Sequence, residues 1–330
     1  MTRTTRIGLL TLAAVAVTLA FVAGRLFSSP SLAPYEDLTL QATNVPQAGL
    51  QTQWFGVSTL TIGDGETTIM IDGFFSRPSW LSLLFMPLNP DLARIDAALA
   101  RGQVDRADAL LVAHSHHDHA MDSAVVAKKL GALLMGSEST ANIGRGGGLG
   151  EDQIQVIQHG DILNLGLFEI RIFETPHSPD PVTPGTIDQP LTPPARLADY
   201  RLGENYSFLL NHPQGRILIV PSAHYVPGLF QEVQADVVFL SIGLLGKQPG
   251  DFIRSYWKET VQATGAKLVI PIHWDDFSRP LDEPLQALPY LLDDMEASMA
   301  QLMELARTDG VAIRLMPLAV PVPLTTPEAP

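Results

Sequence analysis

A chain of 330 residues, 46% hydrophobic and 17% charged, is long enough to bury a sizeable core and too apolar to be disordered. Asp and Glu number 35 against 21 Lys and Arg, a formal net charge of -14, which argues against binding a phosphate backbone. The sequence has no cysteine, so disulfide frameworks, thiolate metal sites and cysteine nucleophiles are excluded.

Arg3 and Arg6 precede a charge-free run from Ile7 to Gly24, rich in Leu, Ala and Val, with Arg25 after it. That pattern reads as a signal peptide or an uncleaved membrane anchor, and Val22-Ala23-Gly24 is a tolerable cleavage site. The excess of positive charge before the run predicts that the N-terminus stays inside and the body is exported, membrane-anchored or periplasmic or extracellular. Residues 1–27 are therefore assigned to an N-terminal hydrophobic helix of this kind, and residues 28–49, with Ser28, Ser29, Pro30 and Pro34, to a linker.

Strands are predicted from Trp54 to Ile62 and from Thr67 to Ile71, joined by Gly63-Asp64-Gly65, and the second runs into Asp72. Phe74, Phe75, Trp80, Leu81, Leu83, Leu84, Phe85 and Met86 follow; this stretch reads either as ordinary core, or as an apolar wall beside a site or a surface meeting lipid. Asn89 and Pro90 are expected to open a helix. The apolar run Ala109–Ala113 reads as a buried strand ending in His114-Ser115-His116-His117-Asp118-His119. A helix over Ser123–Leu130 and strands near 132–135, 153–157, 161–165 and 168–173 come next, the last leading to His177.

Residues 178–203 carry six prolines and are expected to form a long irregular loop, a candidate specificity element beside His177. A second hairpin, with His212 near its tip, delivers Ser222 and His224. Further on, a strand at 237–240, a helix over 252–264, a strand ending in His273 and a long helix from Pro289 to Arg307 are expected. Such alternation favours a layered α/β body, here residues 50–316, with a frayed proline-rich tail at 317–330. His159 and His212 read as ordinary surface residues, and His117 as a residue that packs or faces water.

Imidazoles and a carboxylate within six residues, presented from a strand end into a strand-to-helix turn, suit zinc and can also hold manganese or iron. The His-x-His-x-Asp-His pattern at His114, His116, Asp118 and His119 resembles that of the metallo-β-lactamase superfamily. Asp72, His177 and His273 follow as its other landmarks, each ending a strand. Trp54-Phe55-Gly56-Val57-Ser58 and Pro271-Ile272-His273-Trp274 are similar to one branch, that of the ascorbate-6-phosphate lactonases and N-acyl-phosphatidylethanolamine phospholipases D. The resemblance implies a four-layered αββα sandwich and a metal-dependent hydrolase with one or two divalent ions, zinc by default. It implies that His114, His116 and His177 hold one ion, that Asp118, His119 and His273 hold the other, and that Asp72 orients a ligating imidazole.

Ser222, in Pro221-Ser222-Ala223-His224-Tyr225, stands where that branch has an aspartate bridging both ions. Three explanations are open: His224 supplies a replacement ligand, the site works with one ion, or catalysis has been lost. The leading expectation is hydrolysis of an ester, lactone or phosphodiester bond by a metal-bound hydroxide, with Asp118 steering the water. A small-molecule or amphipathic lipid is the expected substrate, with membrane contact through the N-terminal segment and no nucleic acid. The alternative is a membrane-tethered binding protein or pseudoenzyme with an incomplete site.

Overall fold

The computed structural model describes residues 24–41 and 49–324. In chain order the first half contains β1 (Gln51–Trp54), β2 (Leu60–Gly63), β3 (Thr68–Ile71), α1 (Trp80–Phe85), α2 (Leu92–Gly102), β4 (Ala109–Leu111), α3 (His117–Ala120), α4 (Ser123–Leu130), β5 (Leu133–Gly136), α5 (Glu138–Gly146) and β6 (Ile154–Val156). The second half contains β7 (Ile162–Leu165), β8 (Phe168–Glu174), β9 (Tyr206–His212), β10 (Gly215–Val220), β11 (Val237–Ser241), α6 (Gly250–Trp257), β12 (Leu268–Ile272), α7 (Met295–Asp309), β13 (Ala312–Ile313) and β14 (Val322–Pro323).

The strands form two seven-stranded sheets, ordered β14-β1-β2-β3-β4-β5-β6 and β13-β12-β11-β10-β9-β8-β7. Side-chain alternation along the first sheet explains how it is covered on both faces. Ile69, Ile71, Ala109 and Leu111 join a core shared with Ile170, Phe208, Leu210 and Ile219 of the second sheet. Met70 and Leu110, pointing the other way, pack with Ile95 and Leu99 of α2, Val126 of α4 and Ile143 of α5. Tyr256 of α6 donates its hydroxyl to the Ser241 carbonyl of β11 at 3.0 Å, closing a helix onto the second sheet. This is a mixed α/β fold with two large sheets, consistent with the expected sandwich.

Both sheets run parallel where they matter for function: β3 to β6 in the first and β10 to β13 in the second. Parallel neighbours deliver their carboxyl ends to one edge, and that is where ligands gather in such sheets.

Several boundaries differ from the sequence expectations. The second helix is capped by Asp91, whose carboxylate accepts from the Ala93 and Arg94 amides, and so starts two residues after the Asn89-Pro90 signal. The last helix starts at Met295, because Asp294 caps it through the Ala297 amide and the Asp293 carboxylate is held by the Leu244 N–H at 3.0 Å. Part of the expected linker packs on the body: Ala33–Leu38 forms a short 3-10 helix with Tyr35 buried. Of the proline-rich tail expected to fray, the part described, up to Leu324, bonds Ala319 N–H to the Trp54 carbonyl and pairs β14 with β1; the rest lies outside the described residues. The expected N-terminal helix lies outside the described residues up to position 23, and among the described residues no helix is long and apolar enough to cross a membrane.

Candidate metal centre

β4 and β3 are neighbours, and their ends build the first part of the site. The chain leaves β4 through Val112 and Ala113, and the Ala113 N–H donates to Asp72 Oδ1 at 2.8 Å. Ser115 N–H is caught by the Leu202 carbonyl of the proline-rich loop at 2.9 Å, so His114 and His116 project from a turn tied at both sides. His116 then serves as N-cap of α3, whose single turn carries Asp118 and His119. The motif thereby divides between two groups: His114 and His116, two apart, join His177, while the adjacent Asp118 and His119 join His273.

The second sheet supplies the other two histidines. His177 follows β8 after Thr175, whose N–H bonds the Asn205 carbonyl at 2.9 Å. His273 comes directly after β12 with φ +60°, in a region that few residues with a Cβ occupy. Asp72, directly after β3, shares φ +60°. Non-glycine residues in the left-handed region cost of order 1–3 kcal/mol each and persist where surrounding contacts over-determine them.

The candidates converge as two groups, His114 with His116 and His177, and Asp118 with His119 and His273, the donor atoms within each lying within 4.8 Å of one another. His114 Nε2 lies 3.2 Å from His116 Nδ1, and His273 Nε2 lies 3.3 Å from His119 Nε2. Asp118 Oδ2 is 3.4 Å from His273 Nε2 and 3.8 Å from His119 Nε2. Four ligands around an ion at metal–nitrogen distances near 2.0–2.1 Å stand about 3.3 Å apart, so these spacings fit a cation at the centre of each group.

For His114, His116 and His177 the protonation states point the same way. His119 Nδ1 donates to Asp72 Oδ2 at 2.8 Å, which leaves the lone pair on its Nε2 facing the Nε2 of His273. Burial pushes His116 down to about 3, against the opposing Asp118 carboxylate, and His177 down to about 4; His114 lies well below the usual range for the same reason, helped by its imidazole neighbours. Neutral imidazole is the form that ligates metal. Asp118 is pulled well below the carboxylate range: burial raises it, but His119, His117 and His273 outweigh that. Burial likewise lowers His119, yet the Asp72 and Asp118 carboxylates overcome it and raise this ring. The donor chemistry and geometry therefore fit divalent cations.

Not every predicted residue joins. His224 belongs to neither group: β10 ends at Val220, so the alternation that would aim His224 inward stops, and the ring lies against Phe252 at 5.2 Å between centroids. Ser222 Oγ accepts the Ser178 N–H at 3.0 Å and lies 3.3 Å from Ser178 Oγ, so it braces the residue after His177. His212 is buried, not superficial, stacked on Phe168 with Nε2 3.4 Å from Asp64. His117 packs between Phe74 and Phe277.

Sequence reasoning assigned no role to Ser58, which donates to Asp72 Oδ2 at 2.5 Å and lies 3.0 Å from His119 Nδ1. It also passed over Asp122, whose carboxylate gathers the Phe75 and Ser76 amides and the Ser76 hydroxyl. A buried ion pair of Arg77 with Asp275 escaped it as well. The stretch after Asp72 turns out to be both core and surface: Phe74, Phe75 and Leu83 are buried, while Leu81, Leu84, Phe85 and Met86 are exposed.

A family model described as a beta-lactamase superfamily domain matches residues 51–273. The chain belongs to the metallo-β-lactamase superfamily. A metal-dependent hydrolase of Rhizobium leguminosarum bv. trifolii is 26% identical over 130 residues, 39% of this chain and 49% of that protein, so the match spans about half the length of the relative. Among solved structures, the metallo-hydrolase Igni18 of Ignicoccus hospitalis is similar at a TM-score of 0.52 and 14% identity, covering 84% of this chain and 98% of its own. The isothiocyanate hydrolase of Delia radicum gut bacteria is similar at a TM-score of 0.52 and 15% identity, covering 82% and 98%. At such identities these likenesses speak for the fold.

Proposed function

We propose that this superfamily member is a metal-dependent hydrolase of an ester, lactone or phosphodiester bond in an amphipathic substrate. The observation that carries the reading is the meeting of two complementary ligand groups at one sheet edge. His114, His116 and His177 would hold one ion, and Asp118, His119 and His273 the other. Bound divalent cations supply Lewis acidity and a nucleophilic water at neutral pH. Zinc suits this nitrogen and oxygen set, as do manganese and iron.

The chain's own residues divide the remaining work. Asp72 holds the His119 ring by its Nδ1–H and keeps Nε2 aimed at the centre. Asp118, ionised and buried, accepts a proton from the attacking water and passes it to the leaving oxygen; its Oδ1 lies 3.5 Å from His117 Nδ1. The proline-rich loop lies beside His116, with the Thr183 carbonyl 3.3 Å from its Nε2, and so forms a wall that shapes what reaches the site.

Support for an amphipathic substrate comes from α1. Trp80 packs on Phe277, which packs on His117, so α1, with Leu81, Leu84, Phe85 and Met86 exposed, is joined to the motif segment through these rings. The charge-free run from Ile7 to Gly24 supports an exported body tethered to a membrane, and the acidic net charge disfavours a nucleic-acid substrate.

The test is hydrolysis of detergent-dispersed carboxylic esters, lactones and phosphodiesters, before and after chelation and in His114→Ala. Metal-dependent turnover of one class, lost in the variant, is the expected result. Metal binding with turnover of every class no better than in His114→Ala would instead favour a binding protein that keeps the fold and its ions.

A further inference from the structure

The turn Gly56-Val57-Ser58 joins β1 to β2 and has no ligand of its own, yet it touches two of the three members of one ligand group. The Val57 carbonyl accepts the His273 N–H at 2.9 Å, and the Ser58 hydroxyl meets both Asp72 Oδ2 and His119 Nδ1. The hydrogen bonds of His114, His116 and His177 go elsewhere: between His114 and His116, to the Thr183 carbonyl, and to the Ser178 carbonyl.

This turn is held in a costly shape. Val57 has φ +49° and Gly56 φ +89°, and a β-branched residue in the left-handed region is a genuine outlier. The Val57 N–H donates to Asp275 Oδ1 at 2.7 Å, and the carbonyl also accepts from Trp54 Nε1 at 3.0 Å. Asp275 in turn is ion-paired with Arg77, each side chain 1% exposed. Gly56 leaves room for that pair: a Cβ there would stand 2.5 Å from Arg77 Nη2 and 2.7 Å from Asp275 Oδ2. Arg77 itself has φ +45°, with its carbonyl taken by Arg94 Nη1 at 2.8 Å. Four residues in the left-handed region, Val57, Asp72, Arg77 and His273, are thus linked through this brace.

We infer that the Gly56–Ser58 turn, clamped by the Arg77–Asp275 pair, is a positioning device for one ion position only, that of Asp118, His119 and His273. The inference rests on the reading that both groups bind metal. Ser58 and Asp275 are positioning residues: one fixes the His119 ring through Asp72, the other fixes the His273 backbone through Val57. The side chains of His114, His116 and His177 bond neither residue, and Asp72 reaches that group only through the Ala113 backbone.

The experiment is zinc titration of the metal-stripped full chain in detergent against a competing chelator, with the melting temperature of the stripped protein as a check on folding. Ser58→Ala, placed in a His114→Ala background that leaves only the braced position, is expected to weaken zinc about 10- to 100-fold, the usual effect of losing a partner behind a ligand. Placed in a His273→Ala background it is expected to change nothing. Two further variants isolate the clamp: Arg77→Met with Asp275→Asn keeps an acceptor for the Val57 N–H and is expected to hold zinc normally, whereas Arg77→Met with Asp275→Leu is expected to weaken the braced position alone. Equal weakening in both backgrounds, or none in either, overturns the inference while leaving metal binding intact. An unaltered protein that takes up no zinc overturns the proposed function as well, and Ser58→Ala decides the matter even if the clamp variants fail to fold.

Discussion

Asp122 shows at single-residue scale how the site's surroundings are tuned. It gathers three hydrogen bonds from Phe75 and Ser76, yet burial outweighs them and pushes its carboxyl up to about 6. Between the unfolded carboxylate value near 4 and that folded value, the native state holds a proton that the unfolded state has released. Stability therefore falls as pH rises across this window, by about 3 kcal/mol for a shift of this size. Asp122→Asn should remove that segment from the pH profile of chemical denaturation, so that the variant gains on the unaltered protein as pH rises from 4 to 6; parallel profiles would refute the assignment. The two candidate ligand groups were legible in sequence because His114 to His119 are neighbours in the chain and His177 and His273 end recognisable strands. Ser58 and Asp275 were not, since a hydroxyl and a carboxylate declare themselves only through partners: Asp275 meets Val57 and Arg77 from 218 and 198 residues away. His224 misled because its inward aim depended on a strand that stops at Val220.

Elements were legible where periodicity is long and caps are local. β3, α4, β8 and β12 lie where alternation and helical spacing put them, and the hairpin at Gly63-Asp64-Gly65 closes with Gly63 opposite Thr68. Helix starts slipped because competing caps sit close together: Asp91 outdoes Asn89, and Asp294 outdoes Pro289. Sequence could not decide whether the apolar stretch after Asp72 is core or surface, because a six-residue helix buries only one side. In α1 that side is Leu83, and Leu81, Leu84 and Phe85 face outward. Exposed positions contribute little to stability, so Leu84→Ser with Phe85→Ser should keep the unfolding midpoint of the parent. The same pair should raise KM for long-chain substrates while sparing short-chain ones. Equal effects on both chain lengths would remove α1 from substrate recognition.

At the scale of the whole molecule, alternating strands and helices announced a layered α/β body, and the motif announced its family. Beyond the two hairpins, pairing partners were out of reach, because register between distant segments is set by three-dimensional closure: β14 returns 271 residues after Gln51 to pair Thr52 with Val322. Under the proposed function, two sheets bring two ligand groups together and each group holds an ion. Elemental analysis of the purified full chain, the His114→Ala variant and the His273→Ala variant tests it most directly. About two ions per chain in the unaltered protein and about one in each variant is the predicted result; no bound ion, or a content that neither change alters, would contradict it.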